Sequence, residues 1–323
     1  MVARLAVGAQ ALGATDLYIT REPFRIATAA LETMDLDATV HVLDLPISNS
    51  ATDTEAAIEG FLRAGCEVIV SFGGDGTNRA IVRALANAVP ELASAAAKVH
   101  LLALSTGTNN VFPVMVEPTI AGMVAALQAR GCLTDPALAP RVKVLHVSGT
   151  PASKKYQATP DVGLIDAVLL RQDRVGNLLP YDPRRIARLL LTRAEPTAVG
   201  MSAIGGLIEA VSADDDHGLL VEMSATGGAA ETGSFAVPVS PGLFHRVRVH
   251  SVVRIPFGVA VPFCGPGVLA LDGDRDHKLL ADQKFSVEIR RDGPRVVAIE
   301  AAMRWAVAQG MIARSSHQAP SAA

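Results

Sequence analysis

The chain has 323 residues, of which 50% are hydrophobic and 19% are charged, and its formal net charge is −3 at pH 7. This composition is typical of a folded protein long enough for two domains, and it excludes a largely disordered chain. The slightly acidic balance gives no field for binding polyanions, so a nucleic-acid partner is not expected. No apolar run approaches the roughly 20 residues that span a bilayer, so a membrane partner is not expected either.

The cysteines and the two ends of the chain predict its environment. Cys66, Cys132 and Cys264 are far apart and show neither metal-ligand nor disulfide spacing. Free thiols in apolar surroundings, with no signal-peptide pattern at the start, predict a cytoplasmic protein. The last residues, 314–323, are small and polar and predict a disordered tail.

Helical and strand patterns alternate over the first part of the chain. MVARLAVGAQAL and PFRIATAALETM have apolar residues at helical spacing, whereas TVHVLDL, CEVIVSF and KVHLLALS are short β-rich runs. The helix in ATDTEAAIEGFLRAG is expected to be capped by Asp53 or Thr54 and to end at Gly65. Apolar strands separated by helices predict an α/β domain with a parallel sheet, which we place at residues 1–135.

A different pattern begins near Arg141, after Pro136 and Pro140. Short strands punctuated by Gly, Pro, Asn and Asp follow one another, and only DPRRIARLLLTRA and AAMRWAVAQGMI have a helical pattern. This part predicts a β-rich, mostly antiparallel domain over residues 136–313. Within it, LDGDRDH predicts a hairpin turn at Asp272-Gly273, because Gln283 stands where a calcium loop would need Glu.

The stretch SFGGDGTNRA places Asp75 in a glycine turn between a strand and a helix. Gly73, Gly74 and Gly76 can adopt positive φ and let another molecule approach the backbone. Thr77 stands where the helix should begin, with a side chain suited to capping it. N–H groups at a helix start favour phosphate, and an aspartate there fits phosphoryl transfer, in which it accepts the proton of the attacking hydroxyl. A tight turn in which Asp75 serves only as a cap fits the same residues.

A second polar turn, STGTNN, follows the next strand. The carboxyl ends of neighbouring parallel strands form the ligand crevice of an open sheet, so the two turns are expected to face each other there. Thr and Asn side chains supply neutral donors and acceptors for ribose or phosphate oxygens. The predicted nucleotide- and phosphate-binding residues are Gly73, Gly74, Gly76, Thr77, Asn78, Gly107, Thr108, Asn109 and Asn110.

GGDGT, followed at the end of the next strand by TGTNN, resembles the superfamily of NAD kinases and diacylglycerol-type lipid kinases. With STGTNN and GMSAIGGL, nearly the whole chain looks most like the ATP-NAD kinase-like proteins called acetoin catabolism protein X. The resemblance implies an NAD kinase-like fold in which a β-rich domain completes a cleft. It also implies that Asp75 is the catalytic base, that ATP or polyphosphate is the donor, and that Mg²⁺ takes part without a direct protein ligand.

The resemblance also suggests which residues bind the substrate. ATPDVGLIDAVL is similar to the NAD kinase segment whose Asn-Asp/Glu pair contacts ribose hydroxyls, with Asp161 as the acid and Pro160 in place of Asn. EPTAVGMSAIGGLIEAV is similar to the stretch that packs around the dinucleotide, without the tyrosine of NAD kinases. GVLALDGDR resembles the late Asp-Gly hairpin of both kinase groups. The substrate-binding residues implied are Asp161, Thr197, Ser202, Gly205, Gly206 and Asp272.

Family members open with a strand and a loop beside GGDGT, whereas this chain begins with the pattern of the helix that follows them. The resemblance therefore implies a first domain that is one strand short, with an open sheet edge. Relatives of this kind imply a homo-oligomer, either a dimer or a tetramer.

Two functions are compatible with the sequence. The first is an ATP-dependent kinase that phosphorylates a hydroxyl of a small molecule. The resemblance suggests NAD as the acceptor, and a different polyol or a metabolite of acetoin breakdown is the alternative. The second is a catalytically silent nucleotide-binding regulatory protein that keeps the cleft.

Overall fold

The computed structural model describes residues 1–149, 160–179, 181–224 and 233–312, so the predicted tail lies outside the described residues. The α-helices are α1 (Val2–Ala11), α2 (Ile26–Glu32), α3 (Ala51–Arg63), α4 (Asp75–Ala86), α5 (Pro90–Lys98), α6 (Pro118–Ala129), α7 (Met201–Gly206) and α8 (Ile299–Ala308). The first strands are β1 (Asp16–Thr20), β2 (Thr39–Leu43), β3 (Val68–Phe72) and β4 (His100–Leu104). The later strands are β5 (Val144–Gly149), β6 (Asp161–Gly163), β7 (Asp166–Leu170), β8 (Ile186–Leu191), β9 (His217–Met223), β10 (Gly233–Ser240), β11 (Leu243–Pro256), β12 (Val261–Cys264), β13 (Gly267–Leu271), β14 (Asp274–Leu279), β15 (Lys284–Arg290) and β16 (Arg295–Val296).

The first half of the chain contains the predicted parallel strands. β1 pairs with β2 in one sheet, and β4 lies between β3 and β16 in another. Alternate residues of β4 enter two different cores: Leu102 and Leu104 pack with α6 and α8, while Leu101 and Ala103 pack with α3 and α4. A strand that is covered on both faces must be apolar throughout, which explains the continuous run HLLAL.

The second half consists of two antiparallel sheets. One has seven strands in the order β10-β11-β9-β8-β7-β13-β14, and the other has four in the order β12-β15-β5-β6. Side chains of β5 and β15 pack against β7, β8 and β13, so the smaller sheet covers one face of the larger one. α7 covers the opposite face. The predicted fold, an α/β half followed by a β-rich half, is confirmed.

One predicted helix is a strand. DPRRIARLLLTRA contains a single 3₁₀ turn, Pro183–Arg185, and continues as β8, which lies between β7 and β9. A short apolar run is compatible with a helix or a buried strand, and hydrogen bonds to strands on both sides decide the matter here. The sequence alone contains no information on those partners.

Two predicted helix caps are also wrong. α3 is capped by Ser50, whose side chain accepts from the Thr52 N–H, and Asp53 lies inside the first turn, where it accepts from the Ser48 and Asn49 N–H groups. α4 begins at Asp75 after the N-cap residue Gly74, so Thr77 is inside that helix. In both places the helix starts earlier than the polar pattern predicts.

The last elements of the chain return to the first half. β16 pairs with β4, and α8 packs in the same core as α6, although the predicted range 136–313 puts both in the β-rich domain. No helix in the described ranges is long and apolar enough to cross a membrane.

Candidate functional site

The two polar turns meet at Asp75. β3 and β4 are parallel neighbours, so the turns that follow them leave the same edge of the sheet. The Asp75 carboxylate accepts hydrogen bonds from the Val111 N–H at 3.1 Å and the Phe112 N–H at 2.8 Å. The Asp75 N–H in turn donates to Asn110 Oδ1 at 3.4 Å. Asp75 therefore joins the start of α4 to the turn after β4.

None of the three glycines around Asp75 adopts a positive φ, so close packing explains them better than backbone conformation. A Cβ on Gly73 would lie 2.5 Å from Thr77 Oγ1, and a Cβ on Gly74 would lie 2.6 Å from Asn110 Oδ1. At Gly76 a Cβ would meet nothing within 4 Å. Only Gly76 therefore leaves room for another molecule, and the other two make room for the chain itself.

The remaining predicted phosphate-binding residues fall into two groups. Asn78 is fully buried, and its side chain donates to the Gly74 carbonyl at 2.8 Å and accepts from Ser71 Oγ at 2.7 Å. Asn110 shapes its own turn by donating to Ser105 Oγ at 2.8 Å. Thr108 and Asn109 are exposed, and Gly107 is half-buried. The exposed pair is therefore free to meet a ligand, whereas Asn78 holds the turn together.

A cavity of about 210 Å³ lies beside the start of α4. It is lined by Thr20 at the end of β1, by Phe72 at the end of β3, and by Thr77 and Ile81 on α4. This is the carboxyl edge of the parallel strands, where open α/β sheets bind their ligands.

Backbone amides of the β-rich half bind the carboxylate of Asp272, which lies in the predicted hairpin. The Asp272 carboxylate accepts from the N–H groups of Leu164, Ile165 and Asp166 at 2.6, 2.7 and 3.0 Å. Asp272 also has a positive φ of 49°, which fits the predicted turn. Burial raises the pKa of Asp272 to about 6, although Arg79 and these three amides oppose the change.

Asp166 and Tyr181 are candidate site residues that sequence reasoning missed. Asp166 Oδ1 and the Tyr181 hydroxyl are both buried and have no hydrogen-bond partner among the described residues. Burial raises the pKa of Asp166 well above its ordinary value, and the charges of Asp272 and Asp75 raise it further. Burial and the nearby Asp166 likewise raise the pKa of Tyr181. A carboxylate within the otherwise apolar run GLIDAVLL was the one signal that could have found Asp166.

Asp161 is engaged inside the protein. Its Oδ2 lies 2.7 Å from Arg79 Nη2 and 2.8 Å from His277 Nε2, and the residue is 2% exposed. Burial opposes ionisation, but the bond from His277 and the charge of Arg79 keep the pKa of Asp161 below its ordinary value. This carboxylate therefore faces the protein interior, and Asp166 is the acid of the same segment that has an unpartnered oxygen.

The predicted dinucleotide segment mostly packs on itself. Ser202 Oγ donates to the Arg193 carbonyl at 2.9 Å and accepts from the Glu195 N–H at 3.0 Å. A Cβ on Gly205 would lie 2.5 Å from Leu191 Cδ1, and a Cβ on Gly206 would lie 2.4 Å from the Glu195 carbonyl carbon. Gly205 lets α7 approach β8 closely, and Ser202 and Gly206 fit α7 against the segment that follows β8. Thr197 is the exposed member of the set.

Arg193 brings a positive charge from the β-rich half to the GGDGT turn. Its Nη1 donates to the Val111 carbonyl at 3.4 Å, and its guanidinium lies 5.1 Å from the centre of the Phe112 ring. Burial raises the pKa of Asp75, and the Arg193 charge opposes that rise together with the Val111 and Phe112 amides. No sequence pattern marked this residue. Within the described ranges, no group of three or more His, Cys, Asp or Glu is arranged to hold a metal ion.

Comparisons with known proteins agree with this architecture. The sequence-family model of the ATP-NAD kinase N-terminal domain matches residues 19–131. The sequence-family model of the acetoin catabolism protein X C-terminal domain matches residues 143–292. Acetoin catabolism protein X of Cupriavidus necator is 32% identical over 270 residues, which are 83% of this chain and 70% of that protein.

Two solved structures align with this chain at low sequence identity. Yeast NADH kinase complexed with NADH aligns with a TM-score of 0.52 and 14% identity, over 99% of this chain and 86% of that one. An NAD kinase from Archaeoglobus fulgidus in complex with ATP aligns with a TM-score of 0.42 and 16% identity, over 93% and 98%. The yeast enzyme shows the fold alone. Given the identity and coverage of the Cupriavidus necator relative, this chain belongs to the acetoin catabolism protein X family of ATP-NAD kinase-like proteins.

Proposed function

We propose that this protein is an ATP-dependent kinase that phosphorylates a hydroxyl of a small molecule, with Asp75 as the catalytic base. The observation that carries the proposal is the pair of unpartnered buried oxygens, Asp166 Oδ1 and the Tyr181 hydroxyl. The charges of Asp75 and Asp272 act on Asp166, and those of Asp166 and Asp272 act on Tyr181. Buried polar atoms normally have hydrogen-bond partners. Two neighbouring buried oxygens without a partner therefore suggest that a hydroxyl of another molecule bonds to them.

The donor would bind on the α/β side of Asp75. The cavity beside α4 lies at the strand ends, Gly76 leaves open space above the helix start, and Thr108 and Asn109 are exposed next to it. N–H groups at a helix start favour phosphate. Mg²⁺ would arrive with the phosphates of ATP or polyphosphate, because it keeps several waters and needs only one or two carboxylates.

The acceptor would enter from the β-rich side. A carboxylate such as Asp166 can accept from a substrate hydroxyl, and the Tyr181 hydroxyl can donate to one. Asp75 would then take the proton as the hydroxyl oxygen attacks the terminal phosphorus of the donor, while the bond to the leaving phosphate breaks. Arg193 would offset the negative charge that collects there. Asp161 would not contact the acceptor and would instead hold β6 in position.

NAD is the first acceptor to test, because the matched domain is that of ATP-NAD kinases. Another polyol or a metabolite of acetoin breakdown is the alternative acceptor. We also expect a dimer or a tetramer, which light scattering would identify.

A catalytically silent nucleotide-binding regulator is the second candidate function. The observation that favours it is the state of Asp75, whose carboxylate already accepts from two backbone amides. In this second function, Asp75 serves only to join the start of α4 to the turn after β4. A silent binder would gain thermal stability with ATP but release no ADP with any acceptor.

The deciding experiment measures ADP release from Mg-ATP with NAD, following NADPH through an NADP-specific dehydrogenase, with Asp75→Asn as the control. NADP formation that depends on Asp75 supports the kinase. ATP binding without NADP leads to a panel of other hydroxyl acceptors, with polyphosphate as a second donor. No ADP release across that panel contradicts the kinase proposal and supports the regulator.

Gly76→Ala and Gly74→Ala form a matched pair that tests the donor site. A methyl group at residue 76 meets nothing in the protein, so Gly76→Ala should leave the unfolding free energy unchanged or raise it by about 0.5–1 kcal/mol, as alanine does within helices. If phosphates lie over this residue, the same variant should lose most of the ATP-induced rise in Tm. Gly74→Ala collides with the tethered Asn110 side chain and should lower stability even without ATP. An unchanged ATP response in Gly76→Ala would move the donor elsewhere.

A further inference from the structure

Arg79 lies one helical turn after Asp75 on α4 and is buried where the two halves of the chain meet. Its side chain is only 2% exposed. Residues four apart share one face of a helix, so Asp75 and Arg79 point the same way from α4. Every hydrogen-bond partner of the Arg79 guanidinium that the structure describes comes from the β-rich half.

The partners of Arg79 are the chain segments that hold the acidic residues of the site. Nε donates to the Val162 carbonyl at 2.8 Å, and Nη1 donates to the Leu271 carbonyl at 3.3 Å. Val162 is two residues before Leu164, the first of the amides that hold the Asp272 carboxylate. Leu271 directly precedes Asp272 itself. Arg79 thus holds two neighbouring turns, the β6–β7 turn next to Asp166 and the β13–β14 turn that contains Asp272.

Three carboxylates also contact the Arg79 guanidinium. Arg79 Nη2 lies 2.7 Å from Asp161 Oδ2, and Nη1 lies 3.1 Å from one oxygen each of Asp274 and Asp276. Asp161 is fixed further by His277 Nε2 at 2.8 Å. Only the planar fork of a guanidinium can serve two carbonyls and several carboxylates at once. A buried ion pair adds little net stability, but it can fix one geometry of the groups it joins.

We propose that Arg79 is the positioning residue of this site, which fixes the β6–β7 and β13–β14 turns, and with them Asp166 and Asp272, relative to Asp75. This inference rests on the proposed kinase function for its catalytic meaning. Arg79 touches neither the donor nor the acceptor in this arrangement. Its effect passes through the backbone at Val162 and Leu271.

Arg79→Lys tests the proposal, because lysine keeps the charge but has no fork. A single ammonium cannot reach both carbonyls and Asp161, so the two turns should shift relative to Asp75. A misplacement of about 1 Å can reduce turnover about 100-fold, and we expect that loss with little change in the KM for ATP.

Hydrogen exchange provides a readout that does not depend on activity. The amides of Leu164, Ile165 and Asp166, which donate to Asp272, should exchange roughly tenfold faster in Arg79→Lys. The control is Arg291→Lys. Arg291 also grips backbone carbonyls and a carboxylate, at Ala213, Asp214, Asp215 and Asp216, but all of them lie within the β-rich half.

Faster exchange confined to the Asp272-binding amides in Arg79→Lys, and absent from Arg291→Lys, supports the proposal. Unchanged exchange at those amides, or a uniform rise along the whole chain, overturns it. If Arg79→Lys does not fold, Asp274→Asn combined with Asp276→Asn loosens Arg79 Nη1, which also donates to the Leu271 carbonyl, so the same amides should exchange faster and decide. If the wild-type chain releases no ADP with any acceptor, the kinase function fails, while the exchange result still decides the role of Arg79.

Discussion

Asp75→Asn should reduce ADP release by about 1,000-fold, within the range of 10²–10⁴ that general bases contribute. The asparagine amide cannot accept the proton of the attacking hydroxyl. Its Oδ1 can still accept from the Val111 and Phe112 N–H groups, as Asp75 Oδ1 does at 3.2 and 2.8 Å, so the link between α4 and the turn after β4 should survive. The measurement is steady-state turnover with Mg-ATP and the best acceptor, together with the thermal unfolding midpoint.

Asp75→Ala is the informative companion variant. It removes the link as well as the base, so its unfolding midpoint should fall while that of Asp75→Asn stays close to wild type. If Asp75→Asn turns over at nearly the wild-type rate, Asp75 is not the base. Its carboxylate would then serve only to join the two turns.

Asp166→Asn should stabilise the protein at pH 7 while it lowers turnover, because an amide oxygen accepts a weaker hydrogen bond from the substrate hydroxyl than a carboxylate does. Burial and the charges of Asp272 and Asp75 raise the pKa of Asp166 well above its ordinary value, so the folded state is penalised when this carboxyl ionises. A neutral amide of the same shape removes that penalty. We expect the unfolding free energy at pH 7 to rise, because the unfolded chain does not carry this penalty.

The same reasoning gives a pH dependence. Between the ordinary pKa of an aspartate and the raised folded-state values, the folded protein binds more protons than the unfolded chain, so stability falls as pH rises. Asp272, with a pKa of about 6, and Asp166 both act in this direction. The wild-type unfolding midpoint should therefore increase as pH is lowered from 7 to 5, and the increase should be smaller in Asp166→Asn.

Denaturant unfolding of both proteins at several pH values checks this prediction. The control is Asp282→Asn, which changes a carboxyl in the turn between β14 and β15, where the chain is exposed. An Asp166→Asn variant that is less stable than wild type at pH 7 would show that the carboxylate has a partner in the folded protein, and would remove the acceptor contact from the proposal.

Much of the fold and part of the site could be predicted from the sequence. The runs CEVIVSF and KVHLLALS identified two adjacent parallel strands, and the glycine turns after them placed Asp75 and Asn110 at one edge. These signals are local, because strand ends, glycines and helix starts follow one another along the chain. The hairpin at Asp272 was found for the same reason.

Residues whose surroundings come from distant segments could not be predicted. β8 has the composition of a helix and becomes a strand because β7 and β9 supply its hydrogen bonds. Asp161 and Asp166 lie in one segment, and only the contacts made by Arg79 and His277 show that Asp161 faces inwards. Arg193 and Tyr181 carry no motif at all.

The sequence by itself thus determined the order of the two folding units, the GGDGT turn and its candidate base, because these depend on neighbours along the chain. Tertiary structure alone decided which acids face Asp75, which glycines are open, and which arginine joins the two halves. Burial, charge coupling and unpartnered polar atoms arise only when residues far apart in the sequence, such as Arg79, Asp166 and Asp272, are folded into one place.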